Sequence, residues 1–332
     1  MQRRRLGRQG LWVAAIGLGC GGMSPARGLP GLYGPPDEAE CIATIRRAID
    51  LGVNLFDTAE MYGPFHNEEL LGRAIRGQRG CVVLSTKFGF RYDAQGNLAA
   101  ADSSPAHVRR SVEGSLKRLG TDCIDLIYQH RIDRAVPIED TVGAMAALVR
   151  EGKARYIGLS EVGPATIRRA HVVHPLSVVE TEYSLWERGP EREILPTLRK
   201  LGIGFVAYAP VGRGFLAGSA GREQVAGDAR KAYPRFQGEN YERNLGLLEK
   251  LKNFAQLKSA TTAQVALAWL LAKGDDIVPI PGTKRRSYVE ENVAAAAIGL
   301  DAGHMEWLER EFPPGIAAGE RYNDALYAYV DR

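Results

Sequence analysis

The sequence alternates eight times between a short apolar run and a longer stretch with the periodicity of an amphipathic helix. The apolar runs are continuous and rich in β-branched residues and leucine, as in the strands of a parallel sheet covered on both faces. Eight such units in 332 residues fit an α/β fold of the (β/α)8 TIM barrel type better than an open doubly wound sheet. No G-x-G-x-x-G motif opens a predicted helix, which disfavours a doubly wound dinucleotide-binding domain. The predicted strands are 15–20, 54–57, 81–87, 124–129, 154–160, 178–183, 203–209 and 277–280.

Turn and capping residues mark the ends of the predicted elements. Residues 5–13 read as two short strands around a glycine-containing turn, which predicts an N-terminal β-hairpin cap. Asp37 is a predicted N-cap, and a helix over 105–119 follows Ser104 and stops at Gly120. We expect a single domain over residues 1–332, with one long polar loop over 212–240.

Composition and charge narrow the class of protein. The chain is 45% hydrophobic and 25% charged, and its net charge of +4 comes from basic residues interleaved with acids, so no nucleic-acid partner is expected. Four widely spaced cysteines argue against a disulfide framework or a zinc cage. The basic N-terminus and the apolar run after it resemble a signal peptide, but that run is short and broken by glycine. We therefore expect a cytoplasmic protein with no membrane partner.

Polar residues gather where the predicted strands end. Asp57 closes the second strand, with Tyr62 five residues later, Lys87 closes the third, and His130 follows the fourth. Taken singly, the acid could be a turn former, the lysine an ordinary ion-pair partner and the histidine a core residue. Since the active site of such a barrel lies at the carboxyl ends of its strands, the four together predict a catalytic site.

These residue types combine into one chemistry. A tyrosine with a pKa of about 10 does not readily release a proton at neutral pH. A neighbouring lysine ammonium favours the phenolate and lowers that pKa, and an aspartate keeps the ammonium in place. A neutral histidine can donate to a carbonyl oxygen. The group therefore predicts a general acid and an oxyanion site directed at one carbonyl.

With this tetrad in place, the sequence resembles the aldo-keto reductase family over nearly its whole length. The resemblance lies in many ordered motifs, from the hairpin to about residue 300. They are Phe56-Asp57-Thr58-Ala59, Ser85-Thr86-Lys87, Asp125-Leu126-Ile127-Tyr128-Gln129-His130, Gly158-Leu159-Ser160, Tyr208-Ala209-Pro210-Val211-Gly212-Arg213-Gly214, Ile280-Pro281-Gly282-Thr283-Lys284 and Glu291-Asn292.

The resemblance implies reduction of a small aldehyde or ketone by NADPH. Tyr62 would donate the proton, Lys87 and Asp57 would lower its pKa, and His130 would orient the carbonyl. Tyr208 would stack on the nicotinamide, Ser160 would bind its carboxamide, and Lys284 with Arg285 or Arg286 would hold the 2′-phosphate. The full implied NADP(H) site is Gly22, Met23, Ser160, Glu161, Glu180, Tyr208, Pro210, Val211, Gly212, Arg213, Gly214, Gly282, Thr283, Lys284, Arg286, Glu291 and Asn292. No metal is expected.

Two positions depart from the family pattern. Glu161 follows the serine where many members have asparagine, and Glu180 lies where glutamine is common. An ionised carboxylate can only accept hydrogen bonds, so we hypothesise that Glu180 favours the positively charged, oxidised nicotinamide. We also expect the 212–240 loop to fold over the cofactor.

Two other classes of function remain as alternatives. One is a metal-dependent barrel hydrolase, although the sequence lacks the several ligands such a site needs. The other is a nucleotide-binding regulatory barrel that senses redox state with little turnover. The natural substrate and the oligomeric state are left open.

Overall fold

Eight parallel strands form a closed barrel in this structure, a computed structural model that describes residues 1–25, 32–93 and 98–331. Each strand pairs with the next barrel strand along the chain, so the order follows the sequence. The barrel closes where Gly19 bridges Gly282 in parallel and the amide of Gly17 donates to the carbonyl of Pro279 (3.0 Å). The predicted (β/α)8 barrel is confirmed.

Twelve strands lie in the described residues, of which eight build the barrel. The antiparallel N-terminal hairpin is β1 (Arg3–Leu6) and β2 (Leu11–Ala14), and a second, unpredicted hairpin is β6 (Phe90–Tyr92) and β7 (Leu98–Ala101). The barrel strands are β3 (Leu18–Gly19), β4 (Leu55–Asp57), β5 (Val83–Phe88), β8 (Ile124–Gln129), β9 (Ala154–Ser160), β10 (Val178–Glu182), β11 (Gly204–Tyr208) and β12 (Ile277–Pro279).

The helices lie between successive barrel strands in the chain, except for the last ones, which follow the final strand. Asp37 caps the first of them, as predicted, since its side chain accepts from the amide of Glu40 (3.0 Å). In order they are α1 (Glu38–Asp50), α2 (His66–Ala74), α3 (Pro105–Leu119), α4 (Ile138–Arg150), α5 (Pro164–Val173), α6 (Ile194–Leu201), α7 (Arg222–Ala226), α8 (Gly238–Leu257), α9 (Thr262–Ala272), α10 (Arg286–Ala294), α11 (Ala302–Glu311) and α12 (Asp324–Tyr327). No helix in the described part of the chain is long and apolar enough to span a membrane.

The N-terminal hairpin plugs the amino-terminal end of the barrel, which confirms the predicted cap. Its buried residues Leu6, Leu11 and Val13 share one apolar cluster with the inward-facing residues of five barrel strands. At the hairpin turn, Gly7 has φ +72° and lies so near the barrel that a Cβ would be 2.6 Å from the carbonyl of Ser177. Only glycine fits this turn. Since one end is closed, access to the barrel interior is from the carboxyl ends of the strands.

The segment predicted as a long polar loop over 212–240 is partly helical. It contains α7 and three short 3₁₀ turns, and α8 begins at Gly238 instead of near residue 245. Periodicity analysis misses such turns because a helix of three to five residues completes too few turns to show a period.

Candidate active site

The polar residues of the barrel interior follow from the two-residue period of its strands. Leu55 and Val178 lie in the apolar cluster inside the barrel, and two residues later on the same strands come Asp57 and Glu180. Because side chains in a strand alternate between faces, both carboxyl groups also point inward. The interior therefore changes from apolar at the hairpin to charged at the open end.

Lys87 lies between the two carboxyl groups. Its ammonium pairs with Asp57, donates to the carbonyl of Thr58 (3.1 Å) and lies 3.3 Å from the Glu180 Oε1. Burial alone would lower the pKa of Lys87, but Asp57 and Glu180 outweigh it and the pKa is raised. The ammonium is 5.6 Å from the centre of the Tyr62 ring, so a permanent positive charge lies beneath that phenol.

The pKa of Tyr62 differs from the expectation. Burial raises it, and although Lys87 lowers it as expected, Asp57 and Glu180 raise it further, so that the net shift is upward. Lys87 therefore acts on this pKa in the predicted direction and Asp57 in the opposite one, and burial outweighs the effect of the pair. A phenol that keeps its proton is nevertheless the form that a general acid needs.

His130 lies beside Tyr62, with the two rings edge to face and their centroids 5.9 Å apart. Burial lowers the pKa of His130 well below its usual value, and the charges of Arg131 and Lys87 lower it further. The imidazole is therefore neutral. Its Nδ1 is buried and has no hydrogen-bond partner among the described residues.

A cavity of about 900 Å³ opens above these side chains at the carboxyl end of the barrel. Asp57, Tyr62 and His130 line it, and Lys87 lies behind them. Most residues of the expected cofactor site also line it, namely Gly22, Ser160, Glu180, Tyr208, Pro210, Val211, Arg213, Gly214, Gly282, Thr283, Lys284, Glu291 and Asn292.

Four residues of the expected cofactor site do not line the cavity. Met23 is completely buried in the core outside the barrel, and Gly212 is packed so closely that a Cβ would be 2.7 Å from the indole of Trp186. Arg286 forms a two-pronged ion pair with Glu40, and it is Arg285 that faces the cavity. The fourth is Glu161, which has a different set of partners.

Glu161 is held by the C-terminal segment, residues 321–329. Its carboxylate pairs with Arg321 and accepts from the hydroxyl of Tyr208 (2.7 Å). Burial opposes ionisation, but Arg321 and Arg131 lower the pKa of Glu161 to about 2. Its backbone has φ +56°, a conformation in which asparagine is more frequent than glutamate. The family's asparagine therefore fits the backbone, whereas glutamate here supplies an anchor for Arg321.

The same C-terminal segment adds residues that the sequence analysis missed. Tyr322, Leu326 and Tyr329 line the cavity, and the Tyr322 hydroxyl lies 2.5 Å from that of Tyr208. Arg131 also lines it and donates to Ser160 (3.1 Å). The available signal was the density of tyrosines between residues 322 and 329, together with an arginine directly after His130.

Lys284 is held by residues 33–35, which belong to the first loop, between β3 and α1. Its ammonium donates to the carbonyls of Tyr33, Gly34 and Pro35 at 2.8–2.9 Å. Arg230 lies over the Tyr33 ring at 5.5 Å, which links this loop to the segment after β11. Arg285 lines the cavity together with Lys284, whereas Arg230 is paired with Asp228.

The alternative of a metal-dependent enzyme requires a group of metal ligands. Among the residues that the structure describes, no three His, Cys, Asp or Glu side chains are grouped so that they could hold a metal ion. Asp57 in particular is committed to the ammonium of Lys87.

A barrel with a tyrosine, a histidine and an aspartate–lysine pair at its open end defines a class of oxidoreductase. A family model described as the aldo/keto reductase family matches residues 17–310, so the chain belongs to that family. Its members act on small carbonyl compounds.

Solved structures of bacterial members are similar over nearly the whole chain. The glycerol dehydrogenase from Gluconobacter oxydans is 28% identical with a TM-score of 0.82, over 93% of this chain and 94% of that one. An aldo-keto reductase from Bacillus halodurans in its holo form is 27% identical, with a TM-score of 0.77 and coverage of 98% and 99%. An aldo/keto reductase from Klebsiella pneumoniae in complex with NADP and acetate is 28% identical, with a TM-score of 0.73 and coverage of 97% and 99%.

Proposed function

We propose that this protein reduces an aldehyde or ketone to an alcohol with NADPH, and that Tyr62 donates the proton. The observation that carries the proposal is the convergence of Tyr62, neutral His130 and the Asp57–Lys87 pair on one cavity, which Lys284 and Arg285 also line. That arrangement suits a small carbonyl at one end and a phosphate-bearing nucleotide along the rest. We expect the protein to act in the cytoplasm.

The residues of the cavity fit an extended nicotinamide nucleotide. Ser160 and Glu180, which both line the cavity, would bind the carboxamide. Tyr208 offers an aromatic face. At Gly22 a Cβ would be 3.1 Å from the Tyr33 ring, so a larger residue would require that ring to shift. When bound, NADPH would supply the hydride.

The part of the cavity around Lys284 and Arg285 suits phosphate groups. Lys284 and Arg285 would take the 2′-phosphate once the Lys284 ammonium exchanges the three loop carbonyls for phosphate oxygens. The segment 210–214 would follow the pyrophosphate, and Glu291 with Asn292 would contact the adenine. Arg286, which is paired with Glu40, is the least suited of the expected ligands.

Side chains of the protein itself donate the proton and position the carbonyl group of the substrate. His130 donates a hydrogen bond to the carbonyl oxygen and fixes its position beside the Tyr62 hydroxyl. As negative charge develops on that oxygen, the Tyr62 proton moves onto it, and the ammonium of Lys87 stabilises the resulting phenolate. Asp57 holds the ammonium in place and receives a hydrogen bond from Ser85 (2.7 Å).

The first test is to mix the protein with NADPH and a panel of aldehydes and ketones and to follow the nicotinamide absorbance. In Tyr62→Phe we expect turnover to fall by about 10²-fold or more while NADPH still binds, because only the acid is lost. Tyr156→Phe is the control: this tyrosine packs with the apolar cluster at the hairpin end and should leave turnover unchanged. Equal turnover in Tyr62→Phe and wild type would refute the role of Tyr62.

The same assay distinguishes a carbonyl reductase from the two alternative functions. NADPH binding without turnover over a broad panel would favour a nucleotide-binding regulatory barrel. Loss of activity on chelation would favour a metal-dependent enzyme. Because one similar structure is a glycerol dehydrogenase, the panel should include oxidation of glycerol and other alcohols with NADP⁺.

A further inference from the structure

Three ionisable side chains are buried together at the open end of the barrel, and their charges do not balance. Asp57, Lys87 and Glu180 are each 3% exposed or less, and the Lys87 ammonium contacts both carboxyl groups. If all three were ionised, one negative charge would lack a close partner in a buried setting, which is costly. Two carboxylates that share one cation respond by retaining a proton on one of them.

Hydrogen bonding indicates which carboxyl group retains the proton. Asp57 accepts from the Ser85 hydroxyl and pairs with Lys87. Glu180 has only the contact of 3.3 Å with Lys87, and its Oε2 is buried with no partner among the described residues. Asp57 is therefore the better stabilised carboxylate, and Glu180 holds the proton. In agreement, burial and the charge of Asp57 raise the pKa of Glu180 to about 8.

Glu180 also faces the part of the cavity assigned above to the nicotinamide. It lines the cavity, and on the neighbouring strand its register partner is Ser160. The oxidised nicotinamide carries a positive charge, whereas the reduced ring is neutral. A nearby cation favours an ionised carboxylate, and a neutral ring does not.

We propose that Glu180 is a redox-linked proton site, protonated beside reduced nicotinamide and ionised beside oxidised nicotinamide. The proposal rests on the proposed function, in which NADP(H) binds with its nicotinamide beside Ser160 and Glu180. The only bond that breaks is the O–H bond of the Glu180 carboxyl group, and its proton passes to water. With the proton present, the side chain can both donate and accept, as the glutamine common in the family does.

Other titratable and charged groups surround Glu180 and could contribute to a proton count. They come from the strands and loops on each side, and they are Asp57, Tyr62, Lys87, Tyr128 and Arg131. The test must therefore separate Glu180 from Tyr62, whose phenol could also ionise beside a cation.

The experiment is calorimetric titration of the protein with NADP⁺ and with NADPH in buffers of different ionisation enthalpy. We expect NADP⁺ binding near pH 7 to release about one proton more than NADPH binding. The 2′-phosphate titrates in both nucleotides and cancels in the comparison. As pH rises towards 8, affinity for NADP⁺ relative to NADPH should rise by up to about tenfold per pH unit and then level off.

Three variants test whether Glu180 is the source of the released proton. Glu180→Gln should abolish the difference between the two nucleotides and make their affinity ratio independent of pH. Tyr62→Phe should keep the difference. Glu182→Gln is the matched control on the same strand: Glu182 pairs with Arg213 instead of Lys87, so this variant should also keep it.

The outcomes distinguish this proposal from the one on which it rests. Equal proton release for both nucleotides in the wild type would overturn the proton site and leave NADP(H) binding intact. Persistence of the difference in Glu180→Gln, or its loss in Tyr62→Phe, would assign the proton elsewhere and overturn it as well. If neither nucleotide bound, the proposed function itself would fail, and this inference with it.

Discussion

Glu161 and Glu180 both replace amides common in the family, yet they have opposite surroundings. Glu161 is ionised and paired with Arg321, whereas Glu180 is poorly partnered and its pKa is raised to about 8. The sequence identified both positions but not this difference. Arg321 is 160 residues from Glu161 in the chain, and a contact of that separation leaves no local pattern. The Glu161 carboxylate thus anchors a segment and is not free for the cofactor.

At the same scale, we predict that Glu161→Gln destabilises the fold by about 3 kcal/mol, because it leaves the buried Arg321 without its closest carboxylate. Denaturant unfolding of the variant and wild type measures the change. The control is Glu139→Gln, which breaks an exposed pair with Arg169 and should leave the stability almost unchanged. Equal losses in the two variants would contradict the anchoring role of Glu161.

Among the elements, those in the middle of the barrel were predicted most accurately. The ranges of α3, β8 and β9 agree with the sequence analysis to the residue, and α3 ends at the predicted stop residue Gly120. The first strand, expected over 15–20, pairs only over Leu18–Gly19. Here the apolar run continues past the point where the backbone leaves the sheet, so hydrophobicity alone overestimates the strand.

The segment after β11 is the element most directly tied to ligand binding. Residues of this segment, including Gln224, Asp228 and Arg230, line one wall of the cavity. It also contacts the first loop, because Arg230 lies over Tyr33. These contacts agree with the expectation that the segment folds over a bound nucleotide, which stays a prediction.

NADPH should therefore slow tryptic cleavage after Arg222 and Lys231, two exposed residues of this segment. The physical reason is that a ligand that fills the cavity suppresses the local opening needed for proteolysis. Arg192 serves as an internal reference, since its side chain is 88% exposed and lies outside the cavity lining. Mass spectrometry of timed digests gives the three rates. Unchanged rates at Arg222 and Lys231 at saturating NADPH would count against closure.

For the whole molecule, the sequence predicted the barrel and the proximity of Asp57, Tyr62, Lys87 and His130, but not the connections across the open end. Asp57, Tyr62, Lys87 and His130 follow strand ends, so barrel topology alone brings them together. By contrast, Lys284 donates to the carbonyl of Tyr33, 251 residues earlier, and the C-terminal tyrosines enter the cavity from beyond the last barrel unit. Those contacts depend on loop paths that no strand or helix period encodes.

Glu60 is a buried carboxyl group whose contribution to the stability of the fold should fall as pH rises. Burial raises the pKa of Glu60 to about 7, above its ordinary value of 4.5. Between these pH values the folded state keeps a proton on Glu60 that the unfolded chain loses, so the contribution of Glu60 to the free energy of unfolding decreases with rising pH and levels off above about pH 7. The sign is opposite to that of a salt-bridged carboxylate.

We accordingly expect Glu60→Gln to be about 1–3 kcal/mol more stable than wild type at pH 8 and close to it at pH 4.5. Denaturant unfolding at the two pH values provides the comparison. Glu193→Gln, a change at an exposed carboxylate, should show no such dependence on pH. A Glu60→Gln effect of the same size at both pH values would contradict the assignment.

The seam between Gly19 and Gly282 has a consequence for how the barrel can form. Its two sides lie 263 residues apart, so closure joins the beginning of the chain to nearly its end. Contacts of such long range carry the largest loop-closure entropy and slow folding. Until they form, β12 has an unpaired edge, and an unpaired edge can accept a strand from another molecule. The intervals of greatest risk for aggregation are therefore synthesis and refolding, when most of the barrel exists and its first strand has not yet joined its last.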